Sequence, residues 1–273
     1  MPPDSTTSSR PHSPTRTAFT VEFPEGAERL EQDHEWCTLR RDGREDRIRF
    51  HDYGKIYEVP GLYEHLFYER LECESPQMVR SLLEGQLRKA RVDPSALSVI
   101  DVGAGNGMVG EELADMGAGN LVGVDLLPEA AMAAERDRPD VYEEYFVVDL
   151  TNLSPDEFRA MEAHDFNCLT TVAALGFGDI PPQAFAEAYN LVSDGGWIAF
   201  NIKEDFLAGE DSSGFSRLME SLIETGRLEI LTQERYRHRY AANGDPLIYV
   251  AMAGVKHDNA SDRLVEKAEQ LTT

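Results

Sequence analysis

The apolar run Ser98-Val99-Ile100-Asp101-Val102 passes directly into Gly103-Ala104-Gly105-Asn106-Gly107, then into Met108-Val109-Gly110. A buried strand that turns through glycines into a helix makes the usual cofactor position of a parallel sheet, because glycine tolerates positive φ and lets a ligand approach the backbone. Two patterns overlap here. Gly105, Gly107 and Gly110 have the GxGxxG spacing of dinucleotide-binding turns. Asp101, Gly103, Gly105 and Gly107 instead give an acid followed by three alternating glycines. The apolar strand ends at Val102, so the turn begins at Gly103 and the GxGxxG spacing starts two residues late. A diphosphate also needs the helix N-terminus for itself, whereas an acid at position 101 suits an ammonium, directly or through water. A tight turn that holds no ligand is the plain alternative.

Two further acids stand where the same ligand would need them. Leu121-Val122-Gly123-Val124-Asp125 reads as a second strand ending in a carboxylate that can accept hydrogen bonds from both hydroxyls of a ribose. Nicotinamide enzymes share that feature. Phe146-Val147-Val148-Asp149-Leu150 reads as a third. Acids at the carboxyl ends of three successive strands fit one ligand lying across one crevice.

The Asp101-to-Gly107 pattern resembles motif I of the class I S-adenosylmethionine-dependent methyltransferases. Ser193-Asp194-Gly195-Gly196-Trp197-Ile198-Ala199-Phe200 resembles the glycine-pair turn and fifth strand of that family. Cys168 to Pro181 is similar to the segment that follows the cofactor site in its small-molecule group, without an Asn-Pro-Pro-Tyr-type tetrad. The resemblance runs from about Leu97 to Lys256. It implies S-adenosylmethionine as cofactor and a methyl group moved to O, N or C of a small molecule. It also implies cofactor contacts from Asp101, Gly103, Ala104, Gly105, Asn106, Gly107, Asp125, Leu126, Asp149, Leu150, Thr171 and Tyr57. Of these, Asp149 would accept from the adenine amino group, Leu150 would offer its N–H and an apolar contact, and Tyr57 would lie near the cofactor carboxylate. A non-catalytic protein that binds the same cofactor and an NAD-dependent oxidoreductase remain as alternatives.

The acceptor side falls to the segment before the core and to the loops after strands four and five. His51, Asp52, Tyr53, Tyr57, Tyr63 and His65 crowd one short stretch. His51 is the candidate general base, since histidine as a side chain titrates near neutrality. Tyr53, Tyr63, Asp179 and Lys203 are candidate acceptor contacts. Aromatic residues that merely anchor a cap would look the same. No His/Cys/Asp cluster has metal-ligand spacing, so no metal is expected, and no GxSxG nucleophile turn is present.

These residues need a particular scaffold. From Leu97 onward short apolar runs alternate with amphipathic ones, as a parallel sheet requires. Strands are predicted at 97–102, 120–125, 145–149, 166–171 and 197–202, and helices at 108–116, 128–136, 155–162, 182–191 and 215–225. Two more strands, 228–240 and 247–256, are joined through Ala242-Asn243-Gly244-Asp245. The expected fold is α/β: a seven-stranded, mostly parallel Rossmann-like sheet with helices on both faces, an antiparallel last strand and a small N-terminal hairpin and helical cap. The predicted division is a disordered tail over 1–18, a hairpin and cap over 19–80, the core over 81–256 and a C-terminal tail over 257–273. Asp42-Gly43 marks the hairpin turn. Ser75-Pro76 reads as the N-cap and first residue of a helix.

Composition limits the partners. With 26 basic and 50 acidic residues the chain carries a net charge of −24. Such a surface repels phosphate backbones and anionic lipid, so no nucleic-acid or membrane partner is expected. The acid excess reads as solubility or as adaptation to high salt, where screening relieves self-repulsion. No apolar run approaches the roughly 20 residues of a membrane helix. Cys37, Cys73 and Cys168 are few, odd in number and spread apart, which fits a reducing, cytoplasmic setting. Cys168 reads as a packed core thiol. A homodimer is compatible with the sequence.

Overall fold

The computed structural model describes residues 19–26, 30–175, 179–207 and 214–270. The tail predicted over 1–18, the Gly176-Phe177-Gly178 link and the last three residues lie outside the described residues.

The chain opens with a small antiparallel sheet: β1 (Phe19–Glu22), β2 (Trp36–Arg41) and β3 (Arg44–Arg49), in that order. Asp42 and Gly43 both have positive φ, as the predicted tight hairpin turn demands. β1, only four residues long, adds a strand to the two that were expected. A short helix α1 (Tyr53–Tyr57) and a π-helical turn (Glu64–Arg70) follow. Ile56, Leu62, Leu66 and Phe67 pack there against Val21, Leu39, Ile48 and Phe50, giving this cap its own apolar core.

Next comes α2 (Ser75–Ala90), with Glu74 rather than Ser75 at its N-cap. The Ser75 hydroxyl is turned inward, 2.6 Å from both the Tyr236 hydroxyl and His238 Nδ1, so it cannot also cap the helix.

The core alternates as predicted: β4 (Ser98–Val102), α3 (Met108–Met116), β5 (Asn120–Asp125), α4 (Pro128–Asp137), β6 (Glu144–Val147), α5 (Pro155–Glu162), β7 (Cys168–Thr171), α6 (Pro182–Leu191), β8 (Trp197–Lys203), α7 (Phe215–Glu224), β9 (Leu228–Tyr240), β10 (Pro246–Lys256) and α8 (Asp262–Glu269). The seven strands lie in the order β6-β5-β4-β7-β8-β10-β9. Parallel pairing runs from β6 through β8, and β10 is antiparallel to both β8 and β9. The last strand therefore slots inside the sheet, leaving β9 at the edge.

Side-chain alternation splits the core into two layers. Ile100 and Val102 join Phe185, Leu218 and Leu222 on one face, while Val99 joins Val79, Leu83 and Leu113 on the other. The chain crosses from β6 back to β7, which lies on the opposite side of β4 from β5. That reversal opens a crevice at the carboxyl ends of the strands.

The cap is fastened to the far end of the sheet by the buried pair Arg239–Glu35, at 2.6 Å. Glu35 also accepts from the Ala242 N–H, and Gln32 Nε2 donates to the Tyr249 hydroxyl at 2.9 Å. Removing one member strands the other charge in the interior. Arg239→Ala should therefore lower stability in urea unfolding by about 3–5 kcal/mol. The same change at the exposed Arg40, paired with Glu22 and Glu45, should cost far less, because solvent screens such pairs. Equal effects would remove the fastening role.

Candidate active site

A cavity of about 330 Å³ opens at the strand ends, within the roughly 300–1,000 Å³ typical of small-molecule sites. Gly103, at the end of β4, lines it with positive φ, and a Cβ there would stand 2.9 Å from Ala174. Asp125 enters from β5. Its Oδ2 accepts from the Gly105 N–H and its Oδ1 from the Leu127 N–H, both at 3.0 Å. Burial pushes this carboxyl up from the usual range, and those N–H groups oppose the shift. Asp149 follows β6, with Oδ1 taking the N–H and hydroxyl of Thr151 at 2.9 and 2.7 Å. Those bonds hold its pKa down and leave Oδ2 available. Leu126, 63% exposed, and Leu150 add apolar wall to the same cavity.

The fourth strand delivers Val172, Ala173 and Ala174. Ala173 has φ +58, a left-handed conformation that costs a residue with a Cβ. The Asn201 side chain holds it there, its Oδ1 accepting from the Ala173 N–H at 2.6 Å. Strain of this kind tends to sit where a site overdetermines its backbone.

The cap closes the cavity from above. His51, Tyr53, Tyr57 and Tyr63 all line it, opposite Asp179 on the loop after β7. His51 Nδ1 lies 3.5 Å from an Asp179 carboxylate oxygen, so two candidates 128 positions apart meet in space. Rings pack in series, Tyr57 on Tyr63 with centroids 5.1 Å apart and His51 on Tyr53 at 5.7 Å.

Several predicted contacts lie elsewhere. Asp101 is buried on the Val99 side of the sheet, away from the cavity, because side chains alternate along β4. Its oxygens accept from the Tyr142 hydroxyl at 2.6 Å and the Thr170 hydroxyl at 2.7 Å. Ala104, Gly105, Asn106 and Gly107 do not line the cavity either. Tyr57 is the reason at Gly105: a Cβ there would collide with the Tyr57 hydroxyl. Asn106 is tied down by its Nδ2 donating to Glu64 at 2.7 Å. Arg138 completes that clamp, donating to the Glu64 carboxylate, the Asn106 carbonyl and Glu111. Thr171 is wholly buried one residue short of the cavity. Lys203 reaches Asp205 at 2.9 Å and lies over the Phe206 ring, also off the cavity. Glu64, Arg138, Tyr142 and Tyr145, whose hydroxyl donates to the Gly105 carbonyl at 2.8 Å, were not anticipated. They stand outside any glycine or strand-end pattern.

The charge of the cavity is one-sided. Three carboxylates line it, and none of the described lining residues is Lys or Arg. A diphosphate would meet repulsion with no compensating cation, whereas a ligand carrying an ammonium and a second positive centre would be attracted. The apolar slot beside Asp149 Oδ2 suits a flat heterocycle with an amino group. This set of acceptors fits S-adenosylmethionine better than a dinucleotide.

Strand order and crevice thus define a Rossmann-like cofactor-binding domain. Residues 100–200 match the methyltransferase domain family. The chain is 32% identical over 103 residues to a ubiquinone biosynthesis O-methyltransferase of Thiobacillus denitrificans, covering 38% of this chain and 43% of that protein. It is 32% identical over 111 residues to one from Aromatoleum aromaticum, covering 40% and 46%. The chain thus matches less than half the length of these curated relatives. Among solved structures, the N-methyltransferase NodS of Bradyrhizobium japonicum, in complex with S-adenosyl-L-homocysteine, superposes with a TM-score of 0.51 at 14% identity, covering 77% of this chain and 98% of that one. An S-adenosylmethionine-dependent methyltransferase from Clostridium acetobutylicum gives 0.50 at 12% identity, covering 72% and 97%. The core has the fold of these S-adenosylmethionine-dependent methyltransferases, and residues 100–200 carry the match to the methyltransferase domain family.

Asp101 makes a pH-dependent contribution beneath this site. Burial pushes its carboxyl up to about 6, with the Tyr142 and Thr170 hydroxyls opposing. The folded chain keeps that proton to higher pH than the unfolded chain, where an aspartate titrates near 3.9. Stability from this group is thus fully present below about pH 4 and is lost as pH rises through about 6. Relative to Asp101→Asn, the wild-type chain should lose on the order of 1–3 kcal/mol between pH 4.5 and 7 in urea unfolding. A flat difference would mean the carboxylate is ionised throughout.

Proposed function

We propose that this protein transfers a methyl group from S-adenosylmethionine to an oxygen atom of a small molecule. The observation that carries the reading is that three carboxylates, with no Lys or Arg among the described lining residues, give the strand-end cavity its charge. It favours a ligand with cationic groups over a phosphorylated one. In this reading Asp125 accepts from the ribose hydroxyls with the lone pairs its two backbone bonds leave over. Leu126 and Leu150 sandwich the adenine, and Asp149 Oδ2 accepts from its amino group. Gly103 gives the ligand close backbone approach, and Tyr57 marks the methionine end.

When bound, the cofactor supplies an electrophilic methyl on a positively charged sulfur. The chain's residues must then hold the acceptor in line and keep water out. Tyr53, Tyr63 and the cap form that cover. His51 takes the proton of the acceptor hydroxyl, and Asp179, close to the ring, orients it and stabilises the cation that forms. Transfer to oxygen agrees with the O-methyltransferase names of the curated relatives and with a base poised at the cavity wall.

Calorimetry separates this from the dinucleotide alternative. The protein should bind S-adenosylhomocysteine and leave NAD(H) unbound, and the reverse result would end the proposal. Asp125→Ala should weaken S-adenosylhomocysteine binding by about 1.5–3 kcal/mol, the range for hydrogen bonds to a charged group. An unchanged affinity would take the ribose from Asp125.

The catalytic pair needs a kinetic test. With the acceptor that wild type labels best from tritiated cofactor in a panel of phenols, carboxylates and amines, His51→Gln should lower kcat by about 10²–10⁴. Its affinity for S-adenosylhomocysteine should stay unchanged. Asp179→Asn should fall less and shift the pH profile. Full activity in His51→Gln would leave positioning alone as the mechanism.

A further inference from the structure

Ala173 lines the cavity and also a smaller chamber behind His51. Among the described residues, the others common to both spaces are His51, Tyr53, Tyr63 and Asp179, all of them on the acceptor side. Gly103, Asp125, Asp149 and Leu150, which the reading gives to the cofactor, line the larger space alone. Ala173 therefore belongs to the wall that faces the methyl acceptor.

Its backbone needs outside support there. A φ of +58 is unfavourable for a residue with a Cβ. The support comes from Asn201 near the end of β8, whose Oδ1 takes the Ala173 N–H. Asn201 is wholly buried and lines neither space, so whatever it does for a ligand it does through Ala173.

An asparagine amide has nearly the same shape either way round, with donors at one end and an acceptor at the other. Turned over, its nitrogen would face the Ala173 N–H, donor against donor. Three buried side chains from two other elements prevent this: Ser75 of α2, and Tyr236 and His238 of β9. Asn201 Nδ2 donates to the Ser75 hydroxyl at 2.9 Å and to the Tyr236 hydroxyl at 2.6 Å. Those two oxygens lie 2.6 Å apart, and Ser75 Oγ lies 2.6 Å from His238 Nδ1. His238 is held neutral, its pKa driven well below the ordinary value by burial and by Arg239. With its proton on Nε2, the ring accepts from Ser75, and Ser75 accepts from Tyr236. Both hydroxyl protons are then committed, and each oxygen can only accept from Asn201. The amide oxygen is thereby left pointing at Ala173.

We infer that Asn201 is a positioning residue for the methyl acceptor, holding the Ala173 backbone that shapes the acceptor wall, with Ser75, Tyr236 and His238 fixing which way its amide points. The inference rests on the methyl-transfer reading.

Two readouts test it. The first needs no acceptor: hydrogen exchange of the Ala173 amide, followed by NMR. Asn201→Ala should speed that exchange by at least about tenfold, the equivalent of about 1.4 kcal/mol. The second is kinetic, with the acceptor that wild type labels best from tritiated cofactor. Asn201→Ala should lower kcat/KM for that acceptor by at least about tenfold, because a displaced wall misplaces the acceptor, while the affinity for S-adenosylhomocysteine stays within about twofold. Adding Ala173→Gly to Asn201→Ala should recover at least about threefold of the loss, since glycine takes a positive φ without a Cβ penalty. Tyr236→Phe keeps the ring and removes one partner of the amide. It should move both readouts in the same direction by a smaller factor, and it carries the test if Asn201→Ala does not fold. A wild-type protein that binds no S-adenosylhomocysteine would end the methyl-transfer reading and this role with it, whereas the exchange result scores the Ala173 clamp by itself. Unchanged Ala173 exchange, equal losses for acceptor and S-adenosylhomocysteine, no recovery with glycine, or full acceptor turnover in Asn201→Ala would each overturn the positioning role.

Discussion

The Asp125 carboxylate is the joint on which the site turns. One oxygen holds the Gly105 N–H and the other the Leu127 N–H, so a single side chain pins the glycine turn after β4 to the turn after β5. Taking a carboxylate out of water is expensive, and the raised pKa records that cost. Two backbone donors recover part of it. They add to the Gly103 and Ala104 N–H groups, which donate to the Val124 carbonyl, in fixing the separation of the two turns. Tyr145 braces the same turn from outside by donating to the Gly105 carbonyl. The glycine turn is thus gripped through both its N–H and its C=O before any ligand reaches it.

A second constraint comes from the cap. Its apolar core joins residues 56–71 to β1, β2 and β3, but the main sheet decides where the cap sits. Arg138 gathers Glu64 of the cap, Glu111 of α3 and the Asn106 carbonyl around one guanidinium that is itself 9% exposed. At the opposite end Glu35 and Arg239 perform the same office. Between these fastenings lie the aromatic residues that roof the cavity. Two charge pairs formed across large sequence separations thus hold His51 above the strand ends, facing Asp179.

Local pattern explains what the sequence made legible. The parallel core was readable because each strand is a short apolar run and each helix an amphipathic one, so α3, α5, α6, β5 and β9 fall at their predicted bounds. Gly103, Asp125, Leu126, Asp149 and Leu150 line the cavity because strand ends in such a sheet point at one crevice. Asp101 misled for a reason equally physical. It lies one residue before the strand's end, so the alternation that turns Val102 toward one layer turns Asp101 toward the other, onto Tyr142 and Thr170. Lys203 read as an acceptor contact, but an acid two residues on claims it. Long-range pairing left no trace in spacing. Glu64 with Arg138, and Gln32 with Tyr249, are separated by 74 and 217 positions. The four-residue strand β1 is too short for its alternation to register.

Charge links the glycine pattern to the net composition. A GxGxxG turn succeeds as a phosphate site only when the helix N-terminus is open and the surroundings are not anionic. Here the first turn of α3 carries Glu111, and Glu64 and Arg138 cover the approach. The same acidity that disfavours a diphosphate favours a cation through the whole field of a chain with a net charge of −24. A cationic cofactor gains from that field while it approaches and again beside Asp125. Its product, having lost the sulfonium charge on giving up the methyl, gains less. Acid lining therefore discriminates between the two states of one ligand as well as between two ligands. By Coulomb attraction alone, carboxylates in the wall favour the charged donor over the spent one.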